Sequence, residues 1–96
     1  MGFQDLKKKI KSQFPINREI DNTESNTFFG GELFKNEYYN DYCFVKLNKG
    51  FCEISFFKSD NREIEKIEDD YLDFAVSFKI KEEDYLNAEK MIDWFV

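Results

Sequence analysis

The chain has 96 residues, of which 42% are hydrophobic and 19% aromatic, and it carries a net charge of −6 with no histidine. This length allows one hydrophobic core, so we expect a single domain over residues 1–96. The absence of histidine excludes the usual general base, the usual partner of a catalytic serine or cysteine, and the commonest metal ligand.

The first predicted element is an amphipathic helix of about residues 3–13. Its apolar residues recur at helical spacing at Phe3, Leu6, Ile10 and Phe14. Lysines fill the remaining faces of this segment. Pro15 disfavours the helical conformation at the residue before it, so the helix should end there.

The next segment, from Asn17 to Thr27, is mostly polar and predicts an exposed connection, with a short edge strand around Ile20 as an alternative. Phe28-Phe29, then Gly30-Gly31, then Glu32-Leu33-Phe34 follow. This order predicts a strand, a tight turn and a second short strand.

The centre of the chain predicts a β-hairpin. Apolar residues alternate with other residues at Cys43, Val45 and Leu47, and again at Cys52, Ile54 and Phe56. A turn at Asn48-Lys49-Gly50 places Leu47 opposite Cys52 and Lys46 opposite Glu53. The two cysteines are then not opposed, so we expect no disulfide, and two free buried thiols fit a reducing cytoplasm.

The last part of the chain predicts a strand from Leu72 to Ile80, followed by a helix that begins with the acidic turn Glu82-Glu83-Asp84. The apolar stripe of this helix is Tyr85, Ala88, Ile92, Phe95 and Val96. These elements predict a two-layer α+β fold, with an antiparallel sheet of about four to five strands and both terminal helices packed on one face. No segment has the apolar length of a membrane span or the apolar region of a signal peptide.

Charge is distributed unevenly along the chain. Residues 1–18 carry five basic side chains against one acidic, whereas residues 19–96 carry nineteen acidic against nine basic. The acidic residues are most concentrated at Glu63, Glu65, Glu68, Asp69, Asp70 and Asp73. They form either a solvated loop or an anionic surface that docks into a basic groove of another protein.

The number of aromatic residues is high for a core of this size. If helices cover only one sheet face, Phe44 and Phe57 lie on an exposed second face; if both faces are covered, their rings are ordinary core. Tyr38, Tyr39 and Tyr42 lie beside acidic residues and combine the aromatic and polar character that protein interfaces favour.

These features favour a small acidic binding protein, not an enzyme, that inhibits or neutralises a larger basic protein such as a nuclease, toxin or defence effector. Toxin-neutralising immunity proteins and phage-encoded inhibitors, including anti-CRISPR proteins and DNA mimics, share this profile as a class. The expected partner-binding residues are the six acidic residues, the three tyrosines, Phe44 and Phe57. No catalytic, cofactor or metal motif is present, and the net acidity opposes direct binding to nucleic acid.

Two alternatives belong to other classes. One is a homodimeric structural or adaptor module that associates through an exposed aromatic sheet face or an edge strand. The other is an enzyme that uses a carboxylate pair or a lysine, which would require a concave site with strongly perturbed acids.

Overall fold

A five-stranded antiparallel sheet with one helix before it and one after it forms the fold, which confirms the predicted α+β class. The computed structural model describes residues 2–21, 30–60, 62–67 and 72–95, excluding the side chains of residues 66, 72–75, 94 and 95. The strands follow one another in the sheet in chain order. The elements are α1 (Phe3–Gln13), β1 (Ile16–Glu19), β2 (Glu32–Lys35), β3 (Asp41–Asn48), β4 (Phe51–Ser59), β5 (Leu72–Lys81) and α2 (Tyr85–Phe95), with short 3₁₀ turns at Ile64–Lys66 and Glu82–Asp84.

Helix α1 has the bounds that its sequence pattern predicts. The Asp5 carboxylate accepts a hydrogen bond from the backbone N–H of Gly2 at 3.1 Å, which satisfies one of the open donors at the helix start. At the other end, the N–H of Phe14 donates to the carbonyl of Ile10 at 2.8 Å, and Pro15 follows. The helix thus ends where proline prevents its continuation.

Both helices pack on the same face of the sheet and build the main core with it. The buried residues of this core are Leu6, Ile10, Phe14, Phe34, Cys43, Val45, Cys52, Ile54, Phe56, Ile80, Tyr85, Ala88 and Ile92. Lys9 and Asp93 form a salt bridge between the two helices. This helix-covered face accounts for the stripe of α1 and for Tyr85, Ala88 and Ile92 of the last helix, whereas the side chain of Phe95 and residue Val96 lie outside the described part of the chain.

The central hairpin has the predicted register, with Leu47 opposite Cys52 and Lys46 opposite Glu53. Gly50 has a φ of 84°, a conformation that glycine adopts without steric cost, so the turn depends on it. Cys43 and Cys52 are both buried and free, and burial raises the pKa of each thiol. Both thiols are therefore neutral and packed at ordinary pH.

The second face of the sheet is covered in part. Its buried residues are Ile20, Leu33, Tyr42, Phe44, Phe57, Ile64 and Ile67. The rings of Tyr42 and Phe57 stack with centroids 5.2 Å apart. The segment of residues 62–67 returns across this face to contact β1 and β2, and it inserts Ile64 and Ile67 into the second core.

The expectation of an exposed aromatic sheet face is therefore wrong for Phe44 and Phe57, which are 5% and 1% exposed. The alternative in which both sheet faces are covered applies to these two rings, because the acidic segment after β4 contributes Ile64 and Ile67 to the second core. Ser55 and Ser77 lie on this face beyond the second core, with their hydroxyl groups 2.8 Å apart. Within the described residues, no helix combines the length and apolarity needed to cross a membrane.

The edge strand near the N-terminus differs from its prediction in position. Strand β1 ends at Glu19, and Ile20 is buried beyond it, with its N–H donating to the carbonyl of Gly31 at 2.9 Å. Strand β2 pairs with β1 and β3. The strand predicted at Phe28-Phe29 lies outside the described residues.

The atoms around Gly31 leave no space for a side chain at this residue. A Cβ atom at this residue would overlap the ring of Phe44 and lie 2.7 Å from the carbonyl oxygen of Val45. Gly31→Ala should therefore lower the free energy of unfolding by about 1–3 kcal/mol, measured by urea denaturation. Gly2→Ala is the matched control, because no atom lies within 4 Å of the added methyl group. Equal stabilities of the two variants would contradict the steric constraint.

Candidate functional site

The turn between β2 and β3 presents two tyrosines on a rigid backbone. The side-chain oxygen of Asn36 accepts hydrogen bonds from the N–H groups of Tyr38 at 2.9 Å and Tyr39 at 3.3 Å. Its side-chain nitrogen donates to the carbonyl of Gln13, at the end of α1, at 3.3 Å. This pattern ties the turn both to itself and to the helix.

The buried ammonium group of Lys35 stabilises the same turn. Lys35 is only 7% exposed, and its Nζ donates to the carbonyls of Asn36 at 2.9 Å and Tyr39 at 3.0 Å. The ring of Tyr42 lies 6.0 Å from the same nitrogen, in the geometry of a cation–π contact. A buried charge requires such partners, so Lys35 holds the two ends of the turn together.

The side chains of Tyr38 and Tyr39 project to solvent from this fixed backbone. Their exposed fractions are 83% and 66%, the highest among the exposed large hydrophobic residues of the described chain. Both rings therefore lie in solvent, outside the two cores. Exposed aromatic side chains on an ordered turn are typical of protein interfaces.

The acidic segment that follows β4 begins beside the turn. The N–H of Ser59 donates to the carbonyl of Asn40 at 3.2 Å, and Lys58 pairs with Asp41 at 2.9 Å. Because these contacts join the two strand ends, the segment that starts at Asp60 begins next to the turn. The tyrosine surface, as we name it, consists of the exposed residues Glu37, Tyr38, Tyr39, Asp60, Glu63 and Glu65.

The tyrosine surface has more acidic than basic side chains, although the exposed Arg62 lies in the same segment. Ile64 and Ile67 point into the second core, so the glutamates between and before them project outward. Over residues 60–73 the sequence has seven acidic side chains against two basic. Two of the predicted tyrosines, Tyr38 and Tyr39, are therefore exposed on the turn, and two of the predicted glutamates, Glu63 and Glu65, are exposed in the segment that begins beside it.

The other predicted site residues are placed differently. Tyr42, Phe44 and Phe57 are buried in the second core, where a partner cannot touch their rings while the fold stays closed. Glu68, Asp69 and Asp70 lie outside the described residues. Asp73 lies in β5 near the end of the sheet that bears the turn, and its side chain is not described.

Sequence reasoning missed the two residues that build the surface, Lys35 and Asn36. A signal for Asn36 exists, because asparagine between two strand patterns favours a turn in which its side chain accepts backbone N–H groups. Lys35 had no such signal, since a lysine at the end of an edge-proximal strand is ordinarily solvent-exposed. Its burial depends on the carbonyls of a turn formed by later residues.

A groove of about 580 Å³ lies between α1 and the start of β2, away from the turn. Glu32 in its wall is paired with Lys7 at 2.6 Å and accepts a hydrogen bond from Asn17 at 2.6 Å. The groove borders residues outside the described part of the chain. Among the described residues, no group of three or more acidic or cysteine side chains has the arrangement of a metal site.

Burial raises the pKa of Tyr42 from 10.0 to about 12, and the nearby charge of Glu65 adds to this increase. Burial likewise raises the pKa of Tyr85 to about 12, with the neighbouring Cys52 as the next cause. Both hydroxyl groups therefore stay protonated in the folded state at a pH where they ionise in the unfolded chain.

The free energy of unfolding should consequently fall as the pH rises from 10 to 12. Each contribution is fully present below pH 10, because both states are then protonated, and it is lost as the pH passes the folded value of about 12. Urea denaturation across this range should give a shallower decline for Tyr42→Phe and Tyr85→Phe than for the unsubstituted chain. A decline as steep in the Tyr42→Phe variant would show that this hydroxyl does not titrate differently in the two states.

Comparisons with known proteins do not assign this arrangement to a family. A scan against protein-family models, a search of curated proteins and a search of solved structures each found no match to the chain. The geometry and charge of the tyrosine surface are therefore the basis for a function.

Proposed function

We propose that this chain is a small acidic binding protein, without catalytic activity, that inhibits or neutralises a larger basic protein acting on nucleic acid. The observation that supports this best is the rigid turn that presents Tyr38 and Tyr39 beside exposed carboxylates. Binding would block the partner's functional site instead of modifying it chemically.

The two tyrosines supply the short-range part of the proposed interaction. A tyrosine offers a large ring with two side-chain torsions and a hydroxyl that donates or accepts, so it gains contact area at low entropic cost. Hydrogen bonds from Lys35 and to Asn36 already order the backbone below the rings. Little further ordering is needed on binding, which raises the affinity for a pocket that fits both rings.

The carboxylates supply the long-range part of the interaction. Duplex DNA presents one negative charge per about 1.7 Å of axis, so a groove that binds it is lined by lysine and arginine. An array of carboxylates can enter such a groove and is attracted by the same field. The partner class is therefore a nuclease, toxin or defence effector with a basic groove, and the affinity should fall with salt.

Affinity capture tests this function directly. Three immobilised baits, namely the unsubstituted chain, the double variant Tyr38→Ala/Tyr39→Ala and the control Leu86→Ala, are exposed to lysate of the organism that encodes the chain. Leu86 is 58% exposed on α2, so its truncation removes apolar surface elsewhere. We expect a basic protein that moderate salt elutes from the first and third baits and that the double variant captures at least about tenfold less.

The captured protein is then assayed for its activity on nucleic acid with and without the chain. Inhibition by the unsubstituted chain, weakened by Asp60→Lys and retained with Glu83→Lys, would support the charge argument. Glu83→Lys makes the same charge change as Asp60→Lys, but Glu83 follows β5 at the opposite end of the sheet. Equal capture by all three baits, or full activity of the captured protein in complex, would contradict the proposed function.

The order of the turn itself can be tested without a partner. Asn36→Ala removes the acceptor for the N–H groups of Tyr38 and Tyr39, so hydrogen exchange at these two amides should become at least about tenfold faster. Asn36→Asp keeps an acceptor oxygen and should preserve most of the protection. Equal exchange rates in the unsubstituted chain and in Asn36→Ala would show that the side chain of Asn36 does not order the turn.

A further inference from the structure

An acidic layer lies over one part of the second sheet face. The segment of residues 62–67 contacts β1 and β2, and it inserts Ile64 and Ile67 into the second core. Glu63 and Glu65 are exposed on this segment, with the exposed Arg62 before them. The segment therefore stands out from the sheet and carries its carboxylates on the solvent side of this face.

A different part of the same face carries lysines. Side chains of a strand alternate, so residues an even number of positions from Phe44 and Phe57 share the second face with these two rings. The register between β4 and β5 extends this face onto β5. The lysine surface, as we name it, consists of the exposed or partly buried residues Lys46, Phe51, Ser55, Ser77, Lys79 and Lys81.

The lysine surface is basic although the chain has a net charge of −6. Glu53 is the acidic side chain that shares this part of the face, and it stands opposite Lys46 on β3 and Lys79 on β5. The Nζ of Lys79 also lies 5.8 Å from the centre of the Phe51 ring. Three lysines against one glutamate give a surface that fits an anionic partner.

We propose that two copies of this chain associate face to face, with Glu63 and Glu65 of each copy on the lysine surface of the other. A two-fold interface uses the same surface on both copies, so a face that carries both charges can complement itself. The layer that stands out from one copy also occupies the space over the open part of the other copy. Charge and shape therefore favour the same arrangement.

A nucleic acid fits this face less well than a second copy does. The acidic layer shares the face with the lysines, and the chain as a whole is negative, so a long polyanion would be repelled beyond the three lysines. The second copy presents a short row of carboxylates to the lysines and presents its own lysines to the acidic layer. Opposite charges then meet at both places.

Charge reversal tests the pairing. Light scattering over a concentration series should show a dimer for the unsubstituted chain, with a dissociation constant that rises with salt. Lys79→Glu/Lys81→Glu and Glu63→Lys/Glu65→Lys should each raise this constant by about tenfold or more, because like charges then meet. A mixture of the two double variants restores opposite charges at both places, so a heterodimer should form.

The matched control is Lys8→Glu/Lys11→Glu. It makes the same charge change at two exposed residues of α1, a helix that packs on the other face of the sheet, and should leave the dimer intact. A monomer at every concentration, a mixture of the double variants that stays monomeric, or a loss of the dimer in the control would overturn the proposal.

A carbodiimide cross-linker, which joins a carboxylate directly to an amine in contact with it, tests the unsubstituted chain. We expect a covalent dimer in which mass spectrometry finds Glu63 or Glu65 joined to a lysine of the lysine surface. No covalent dimer, or one that is joined only at other residues, would contradict the pairing. A basic partner would compete with the second copy for the two glutamates, but none of these measurements uses such a partner, so the outcome is independent of the proposed function.

Discussion

The central hairpin is buried on both faces where β3 begins and β4 ends, and this is the constraint on which the rest of the structure depends. Residues 42–45 of β3 are all buried, and because side chains of a strand alternate, they require a cover on each side. The two helices cover one side. The segment of residues 62–67 covers part of the other side by inserting Ile64 and Ile67. A meander of strands with helices on one face alone would leave aromatic rings in water.

The tyrosine surface follows from this second cover. The segment inserts two isoleucines, so its acidic side chains have only the solvent side to occupy. It starts at the end of β4, where the bond between Ser59 and Asn40 joins it to the turn. The acidic segment therefore begins beside the turn that carries Tyr38 and Tyr39. The same packing removes Tyr42 from the surface, although the sequence groups it with them.

The buried charge of Lys35 stabilises the turn that carries the two exposed tyrosines. An ammonium group with so little exposure is costly unless its donors are satisfied, and here two carbonyls of the turn accept from it. The turn is thereby stabilised by the same bonds that make the burial tolerable.

Local patterns determined the fold class, the bounds of α1, and the register of the central hairpin, because helical and strand periodicities and turn residues act over a few positions. They did not determine that the second sheet face is covered, since Ile64 and Ile67 meet Phe44 and Phe57 only after the chain has turned back. Nor did they reveal Lys35, whose role depends on the carbonyls of a folded turn. The sequence by itself established an acidic α+β protein rich in aromatic residues; tertiary packing decided which aromatic rings are core and which two face solvent.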